Sequence, residues 1–424
     1  MTAFSNNIAV AAAAFLLFCH SLCGQEAQVM TLYGHVTDNG NGDGLFYSSV
    51  SLSGTRVTNV SNSDGLFSLK IPEGTPASAE ILISHLGYMT SSLPVSAFTG
   101  HTLDNPLEIT LFPVALALDP STIRAIDPVI LFRSAFYKVR DNFPNERAGM
   151  TAFYREMVKK GTAKYLVLNE AVIDIDKGSY TGIQQDRVGI YKGRGSINYD
   201  TSDTLFVKLQ GGVSTALQLD MAKDPFLGFT IDEAPASYEF SMEGAETYDG
   251  RSFYVLEFSP KPQAKEILFR GRMFIETESL AIGRVEFSMA LEGREEEAAS
   301  LFVIKRPPGT RFFVNSADYV ISYKCFDDVW YYDYCRVDVN FSTRKVHSPF
   351  RTNFSVTEEM AVTDHKNGGI AIEPAGRVRF RDVLSDRVAD FTDSSFWEDY
   401  NIIEPDQSID VLVRKIVRQL QKRD

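Results

Sequence analysis

The chain has 424 residues, with 42 Lys plus Arg against 55 Asp plus Glu and a net charge of −13, enough for about two or three domains with real cores. At 44 % hydrophobic and 23 % charged residues it is globular, neither disordered nor collagenous. A pI near 5.1 without a long basic block excludes general nucleic-acid binding, which depends on neutralising phosphates.

The first predicted element is an export signal over residues 1–24. Ile8 to Phe18 is an uncharged apolar run that suits a secretory h-region and is short for a span, which needs ~20 residues. The segment before it carries no Lys or Arg. Cys19 and Cys23 lie where a lipobox cysteine would, but Phe18 and Leu22 precede them where a small residue is wanted. Lipidation is therefore the lesser expectation. The chain is expected in the periplasm or at the outer membrane, with no integral span once the signal is removed.

From 30 to 113 the chain reads as short alternating or β-branched strands: Thr31–Thr37, Ser49–Ser53, Leu66–Ile71, Glu80–Ser84 and Leu107–Phe112. Turn clusters at Asn39–Gly44, Asp64-Gly65 and Pro72–Gly74 separate them, a spacing that predicts a β-sandwich. Gly34-His-Val-Thr-Asp38, Val50–Thr55, Asp64–Phe67, Ile71-Pro72 and Ile83–Tyr88 resemble the carboxypeptidase regulatory-like domain. That resemblance implies a seven-stranded transthyretin-like sandwich of the kind found at the N-termini of exported Bacteroidota proteins. It implies no peptidase activity. Leu45-Phe-Tyr-Ser-Ser49 departs from the Pro-Leu-x-x-Ala-like pattern expected there.

Residues 114–148 read as a Pro-containing linker followed by a helix over Val129–Arg140, ended at Asn142-Phe-Pro144. From 149 to 362 strands resume: Tyr165–Ile175, Tyr238–Met242, Phe253–Phe258, Arg272–Glu276, Arg284–Ser288, Phe312–Val314, Val320–Tyr323, Trp330–Phe341 and Thr352–Val356. Short turns between the later ones predict a large antiparallel sheet or half-barrel with a few helices. Phe153–Glu156, Asn169–Ala171, Gly211-Gly212, Gly271–Ile275 and Phe396–Pro405 resemble uncharacterised Bacteroidota proteins that carry the same sandwich. Gly271–Glu276 with Leu280–Ile282 is faintly similar to the half-barrel of lipoprotein-sorting proteins. Within 374–424, residues 408–421 predict an amphipathic helix with Ile409, Leu412, Val413, Ile416, Val417 and Leu420 on one face.

Chemical motifs are sparse. A zinc carboxypeptidase needs His-x-x-Glu, and none of His35, His85, His101, His347 or His365 begins one. Asn39–Gly44 copies half a calcium loop, but Val50 stands where a bidentate Glu belongs. Gly212-Val-Ser214-Thr-Ala216 falls short of a nucleophile elbow and lacks a surrounding βαβ unit. Cys325 and Cys335 flank a hairpin turn at Asp327-Asp328, which places Cys325 opposite Trp330 and leaves Cys335 beyond disulfide reach. The candidate ligand contacts are Tyr154 and Arg155 on one strand and Trp330 and Tyr332 in an aromatic cluster. No catalytic residue, metal site or cofactor is expected.

The chain thus reads as a mainly β, non-catalytic envelope protein in which a sandwich docks or stabilises and a larger sheet binds an unknown envelope protein, glycan or lipid. A carrier of an apolar ligand or lipoprotein in a half-barrel is the alternative. A hydrolase, which would converge titratable groups in one cleft, is the third reading.

Overall fold

The computed structural model describes residues 29–114, 126–162, 164–197, 212–225, 230–302, 308–379, 382, 387, 400–406 and 409. The predicted export segment lies outside them. So does the C-terminal helix apart from Ile409, which is fully buried.

The N-terminal strands are β1 (Val29–Asp38), β2 (Ser49–Leu52), β3 (Thr58–Val60), β4 (Leu66–Pro72), β5 (Glu80–Ser84), β6 (Ser91–Pro94) and β7 (Leu107–Leu111). They form a three-stranded sheet, β4-β1-β7, and a four-stranded sheet, β3-β2-β5-β6. The expected sandwich is therefore present. Alternate residues of each strand point between the sheets, and Leu32, Val36, Val50, Phe67, Leu69, Ile81 and Ile83 make its core. Each such side chain contributes ~1.5–3 kcal/mol through burial. Gly34 permits the close packing, since a Cβ there would lie 2.4 Å from the Phe67 ring. The Asn39–Gly44 segment is a turn closed on itself. Asp38 Oδ1 accepts from Gly40 N at 2.8 Å, and Asn41 Nδ2 donates to Asp43 at 2.7 Å.

Helix α1 (Pro128–Tyr137) follows, capped by Asp127, whose Oδ1 accepts from Val129 N and Ile130 N at 2.9 and 3.0 Å. Proline at the first helical position costs nothing because its N–H would have no helical partner. The chain breaks at Lys138 and adds one short turn, α2 (Val139–Asn142), so the predicted single helix is two.

The remaining strands are β8 (Ala148–Lys160), β9 (Lys164–Lys177), β10 (Arg187–Ile197), β11 (Tyr238–Tyr248), β12 (Arg251–Pro260), β13 (Phe269–Glu276), β14 (Ile282–Met289), β15 (Thr310–Phe326), β16 (Val329–Lys345), β17 (Thr352–Lys366) and β18 (Arg377–Val378). They make one open 11-stranded sheet in the order β11-β12-β13-β14-β15-β16-β17-β8-β9-β10-β18. Every pair is antiparallel. The segments Phe312–Val314 and Val320–Tyr323, expected as two strands, are one. A register shift between Val314 and Ser316 and the polar Asp318 interrupt the apolar alternation without ending the ladder. Helices α3 (Val213–Gln218), α4 (Ala234–Ser237) and α5 (Glu295–Phe302) join α1 and α2 around the core that one face of this sheet carries. This is the inner face of the sheet, and the opposite face is the outer one.

The outer face meets the sandwich. Tyr47 packs on Tyr334 with ring centroids 3.8 Å apart and hydrogen-bonds Ser322. The Arg336 guanidinium lies over Phe46 at 4.7 Å and that of Arg284 over Tyr47 at 4.9 Å. The departure at Leu45–Ser49 from the regulatory-like pattern is thus the part of the sandwich that seats on the sheet. Lys324 Nζ donates to Ser49 Oγ at 2.7 Å. Residues 400–406 run between the two bodies as a strap. Asn59 Nδ2 donates to Ile402 O at 2.8 Å, Lys70 N to Asn401 Oδ1 at 2.7 Å, and Arg155 Nη2 to Ile403 O at 2.7 Å. Ile402 and Ile403 close a small core with Tyr47, Val60, Phe153, Tyr334 and Ala361.

Candidate functional site

Strand alternation sends Tyr154, Glu156 and Val158 of β8 to the inner face and Phe153 and Arg155 to the outer one. On the outer face a single row crosses the sheet through Arg194, Glu170, Arg155, Glu359, Arg336, Val320, Glu286, Arg272, Glu257 and Ser241, each directly opposite the next. Charge alternates along nearly all of it. Glu170 receives Arg194 at 2.5 Å and Arg155 at 2.7 Å, and Glu359 takes Arg336 at 3.5 Å and the Tyr334 hydroxyl at 2.6 Å. Where sandwich and strap cover it, this row is buried and mutually neutralised, which is what buried charge requires. Arg155 is 2 % exposed, its guanidinium spent on Glu170 and the strap carbonyl.

The same row one residue along, on the inner face, is different. It runs Gly195, Asn169, Glu156, Glu358, Val337, Tyr319, Phe287. Glu156 and Glu358 are direct cross-strand partners, and like charges so placed repel. Burial, then the neighbouring Glu358, push the Glu156 carboxyl up to about 8, while the Asn169 amide works the other way. Burial also lifts Glu358, to about 7, against the Gly212 N–H and the Tyr154 hydroxyl. Gly212 N donates to Glu358 Oε1 at 3.3 Å. Tyr154 Oη faces Glu358 without completing a hydrogen bond, as Asn169 Nδ2 faces Glu156, and Glu358 Oε2 has no partner. Tyr154 and Asn169 are 0 % and 1 % exposed. Glu156 is half-buried and connects the cluster to solvent. Room for Asn169 comes from Gly195, whose Cβ would lie 2.4 Å from its Oδ1.

A second buried network on β9 shows what a satisfied cluster looks like in this fold. Lys177 Nζ lies 2.7 Å from Asp186 and 2.8 Å from Asp220, and the Tyr180 and Tyr323 hydroxyls each donate to Asp220 at 2.7 Å. Nothing there is left over for a ligand. Among the described residues the groups acting on the Glu156 and Glu358 carboxyls include no cation. Such a pair holds roughly one proton between its members near neutrality and presents acceptors to a donor-rich group.

Of the four residues singled out from the sequence, Tyr154 alone stands in this cluster. Trp330 packs edge-on to Phe253 at 6.1 Å beneath Arg251 at 5.7 Å, and Tyr332 donates to Ala216 O at 2.5 Å. Both are buried core rings. A bulge places Tyr334 opposite Ser322 and Tyr332 opposite Tyr323, with Asp333 the extra residue, so these two tyrosines serve opposite faces. Asn169 falls within the Asn169–Ala171 resemblance, which marks no site residue, and Glu358 carries no signal in the sequence. Two glutamates some two hundred positions apart become neighbours only through the pairing of β8 with β17.

The histidines do not converge. His35 binds Glu108 at 2.9 Å, His85 binds Phe46 O at 3.1 Å, and His101 binds Asn105 O at 3.1 Å. His347 is exposed, and His365 is buried 3.8 Å from Asp333. Among the described residues no group of three or more His, Cys, Asp or Glu is placed to hold a metal. Cys325 and Cys335 are free, with Cys325 opposite Trp330. No helix among the described residues is long and apolar enough to cross a membrane. A groove of about 820 Å³ runs over β12–β14, lined by Glu257, Lys261, Arg270, Arg272, Glu292 and Arg294 among others. Its guanidiniums are occupied: Arg270 by Glu292, Arg272 by Glu286 and Arg294 by Glu297.

Among solved structures the chain is similar to a DUF1329 family protein from Desulfovibrio piger, at 13 % identity over 58 % of this chain and 96 % of that one, with a TM-score of 0.23. It is also similar to MucB, at 13 % identity over 58 % of this chain and 94 % of that one (TM-score 0.19). A Pseudomonas aeruginosa MucA/MucB complex matches at 12 % identity over 58 % and 100 %, with a TM-score of 0.19. Overlaps this slight leave the large sheet to be argued from its own strands. No curated protein matches the chain. Residues 32–111, the sandwich, match the model of the CarboxypepD_reg-like domain.

Proposed function

We propose that this is an exported, non-catalytic binding protein of the cell envelope. Its regulatory-like sandwich braces the outer face of the large sheet, and its ligand is received on the inner face at Glu156 and Glu358. One observation carries the reading: Tyr154 Oη, Asn169 Nδ2 and Glu358 Oε2 are buried beside a half-buried carboxyl and lack hydrogen-bond partners. Each such atom costs about 1–3 kcal/mol, a cost that a bound ligand relieves. Export rests on the apolar run Ile8–Phe18. The sandwich is a brace in this reading because its Phe46 and Tyr47, its Lys324 contact and the strap bind it to the sheet.

The test is native mass spectrometry of the full mature chain purified from its own envelope, as wild type and as Tyr154→Phe. A co-purifying mass held by the wild type and weakened in the variant is expected. A bare mass in both argues for a scaffold. Turnover of ester or amide substrates that vanished in Glu358→Gln would replace binding with hydrolysis.

A further inference from the structure

The same inner-face cluster carries a statement about ligand class, which rests on the binding reading above. We propose that it takes a primary ammonium group at the end of an alkyl chain. An ammonium presents three N–H donors and no acceptor. Three acceptors lie together on the inner face: Glu358 Oε2 and the Tyr154 hydroxyl oxygen, both without a partner, and the Glu156 carboxylate opposite Glu358. A hydroxyl ligand would satisfy one or two of these and leave the carboxylates' mutual repulsion in place. A cation removes that repulsion as well.

The surroundings fit the rest of such a molecule. Val158 and Val356 are opposite each other two residues along from the acidic pair, and Val337 and Tyr319 continue the row beyond Glu358. Of these Val158 is half-buried while Val356, Val337 and Tyr319 belong to the core, so a methylene chain would leave the pair over Val158. Among the described residues the groups facing the pair are Tyr154 from β8, Asn169 from β9, Tyr319 from β15, Cys335 from β16 and the N–H of Gly212, the residue before α3. None of them is a cation, so among the described residues the pair has no counter-charge, and the ligand supplies one. The buried Tyr154 phenol, whose oxygen can accept, points to a ligand independently of the carboxylates. In the occupied Lys177 network of this protein the same donor type already sits between Asp186 and Asp220 beside tyrosine hydroxyls. The second cluster repeats that arrangement with the ammonium left out.

The experiment is calorimetric titration of the full chain with hexylamine and, in parallel, with hexanol, at pH 8 and at pH 5.5. Hexylamine is protonated at both values, whereas the carboxyls change state between them. The amine is expected to bind at pH 8, at least tenfold more weakly at pH 5.5, and at least tenfold more weakly in Glu358→Gln. Hexanol is expected to show no measurable heat. Removing a buried repulsive charge does not threaten folding, so the variant remains interpretable. Nα-acetyl-lysine methylamide as a third titrant separates a free amine from a lysine side chain of a partner, and binding of either supports the proposal. Equal binding of amine and alcohol, unchanged by pH, would overturn the ammonium assignment while leaving a binding site. Failure of both titrants also overturns it, and the co-purified mass then decides whether the binding reading stands.

Discussion

Arg155 and Glu156 are neighbours in the chain and opposites in the fold. Arg155 is buried beneath the sandwich-side strap with its guanidinium 2.7 Å from Glu170, while Glu156 projects to the inner face against a second carboxyl, Glu358. One peptide unit thus separates a neutralised charge that holds two bodies together from an uncompensated one that is available for chemistry. The alternation of a β-strand is the whole cause.

The inner pair makes stability fall as pH rises. Both carboxyls have folded-state values, about 8 and about 7, above the ordinary 4.5. The native state therefore holds more protons than the unfolded chain from about pH 4.5 to about pH 8. The pair's contribution to stability is greatest below this window and declines through it. Glu358→Gln should flatten that part of the profile and raise stability at pH 8 by about 1 kcal/mol or more. Urea midpoints measured from pH 4.5 to 8.5 check this; a wild-type midpoint that rose over that range would contradict it.

Arg155 is the central cation of the outer row. Arg155→Met would leave Glu170 with Arg194 alone and Glu359 with Arg336 alone, and free the Ile403 carbonyl. Breaking a buried pair from one side costs about 3–5 kcal/mol. Chemical denaturation should show a loss of that size, and one below about 1 kcal/mol would mean that water reaches the row.

Sandwich and sheet should unfold together. Asn59→Ala removes two donations from one side chain, to Ser68 O at 2.6 Å and to Ile402 O at 2.8 Å. The expected loss is about 1–3 kcal/mol, borne by both bodies. Hydrogen exchange in β4 of the sandwich and β8 of the sheet should speed up in parallel. Acceleration in β4 alone would show the strap to be an attachment without mechanical consequence.

Gly271 cannot bear a side chain. A Cβ there would lie 2.0 Å from Glu286 O and 2.6 Å from Phe287 Cα, both backbone atoms that cannot rotate away. Gly271→Ala should destabilise by at least about 1–3 kcal/mol, as overpacking does. Thermal melts of this variant beside Gly54→Ala, whose Cβ meets nothing within 4 Å but whose φ is positive, separate steric from conformational cost.

The cysteines should remain thiols. Burial pushes Cys335 up to about 12, and Cys325 is raised by the same cause with partial exposure. Since the thiolate is the reactive form, an aromatic disulfide reagent should leave Cys335 untouched until the protein unfolds. A mass two hydrogens lower on the folded chain would mean a disulfide and a different hairpin register.

The sequence by itself determined the mainly β class, the sandwich over residues 30–113, the Asp327-Asp328 turn and the separation of the two cysteines. Each is local: alternation, turn residues and strand spacing are written in consecutive positions. It also named Tyr154 and Arg155 as candidate contacts without telling which face each would serve. Only the tertiary structure decided that Phe46 and Tyr47 seat the sandwich on the sheet, that residues 400–406 strap the two together, and that Trp330 and Tyr332 are core. It alone brought Glu358 to Glu156. Such pairings depend on which distant strands lie side by side, and the packing of both faces at once selects that order. Charge on a strand becomes structural or functional according to what covers its face, and no run of neighbouring residues records the cover.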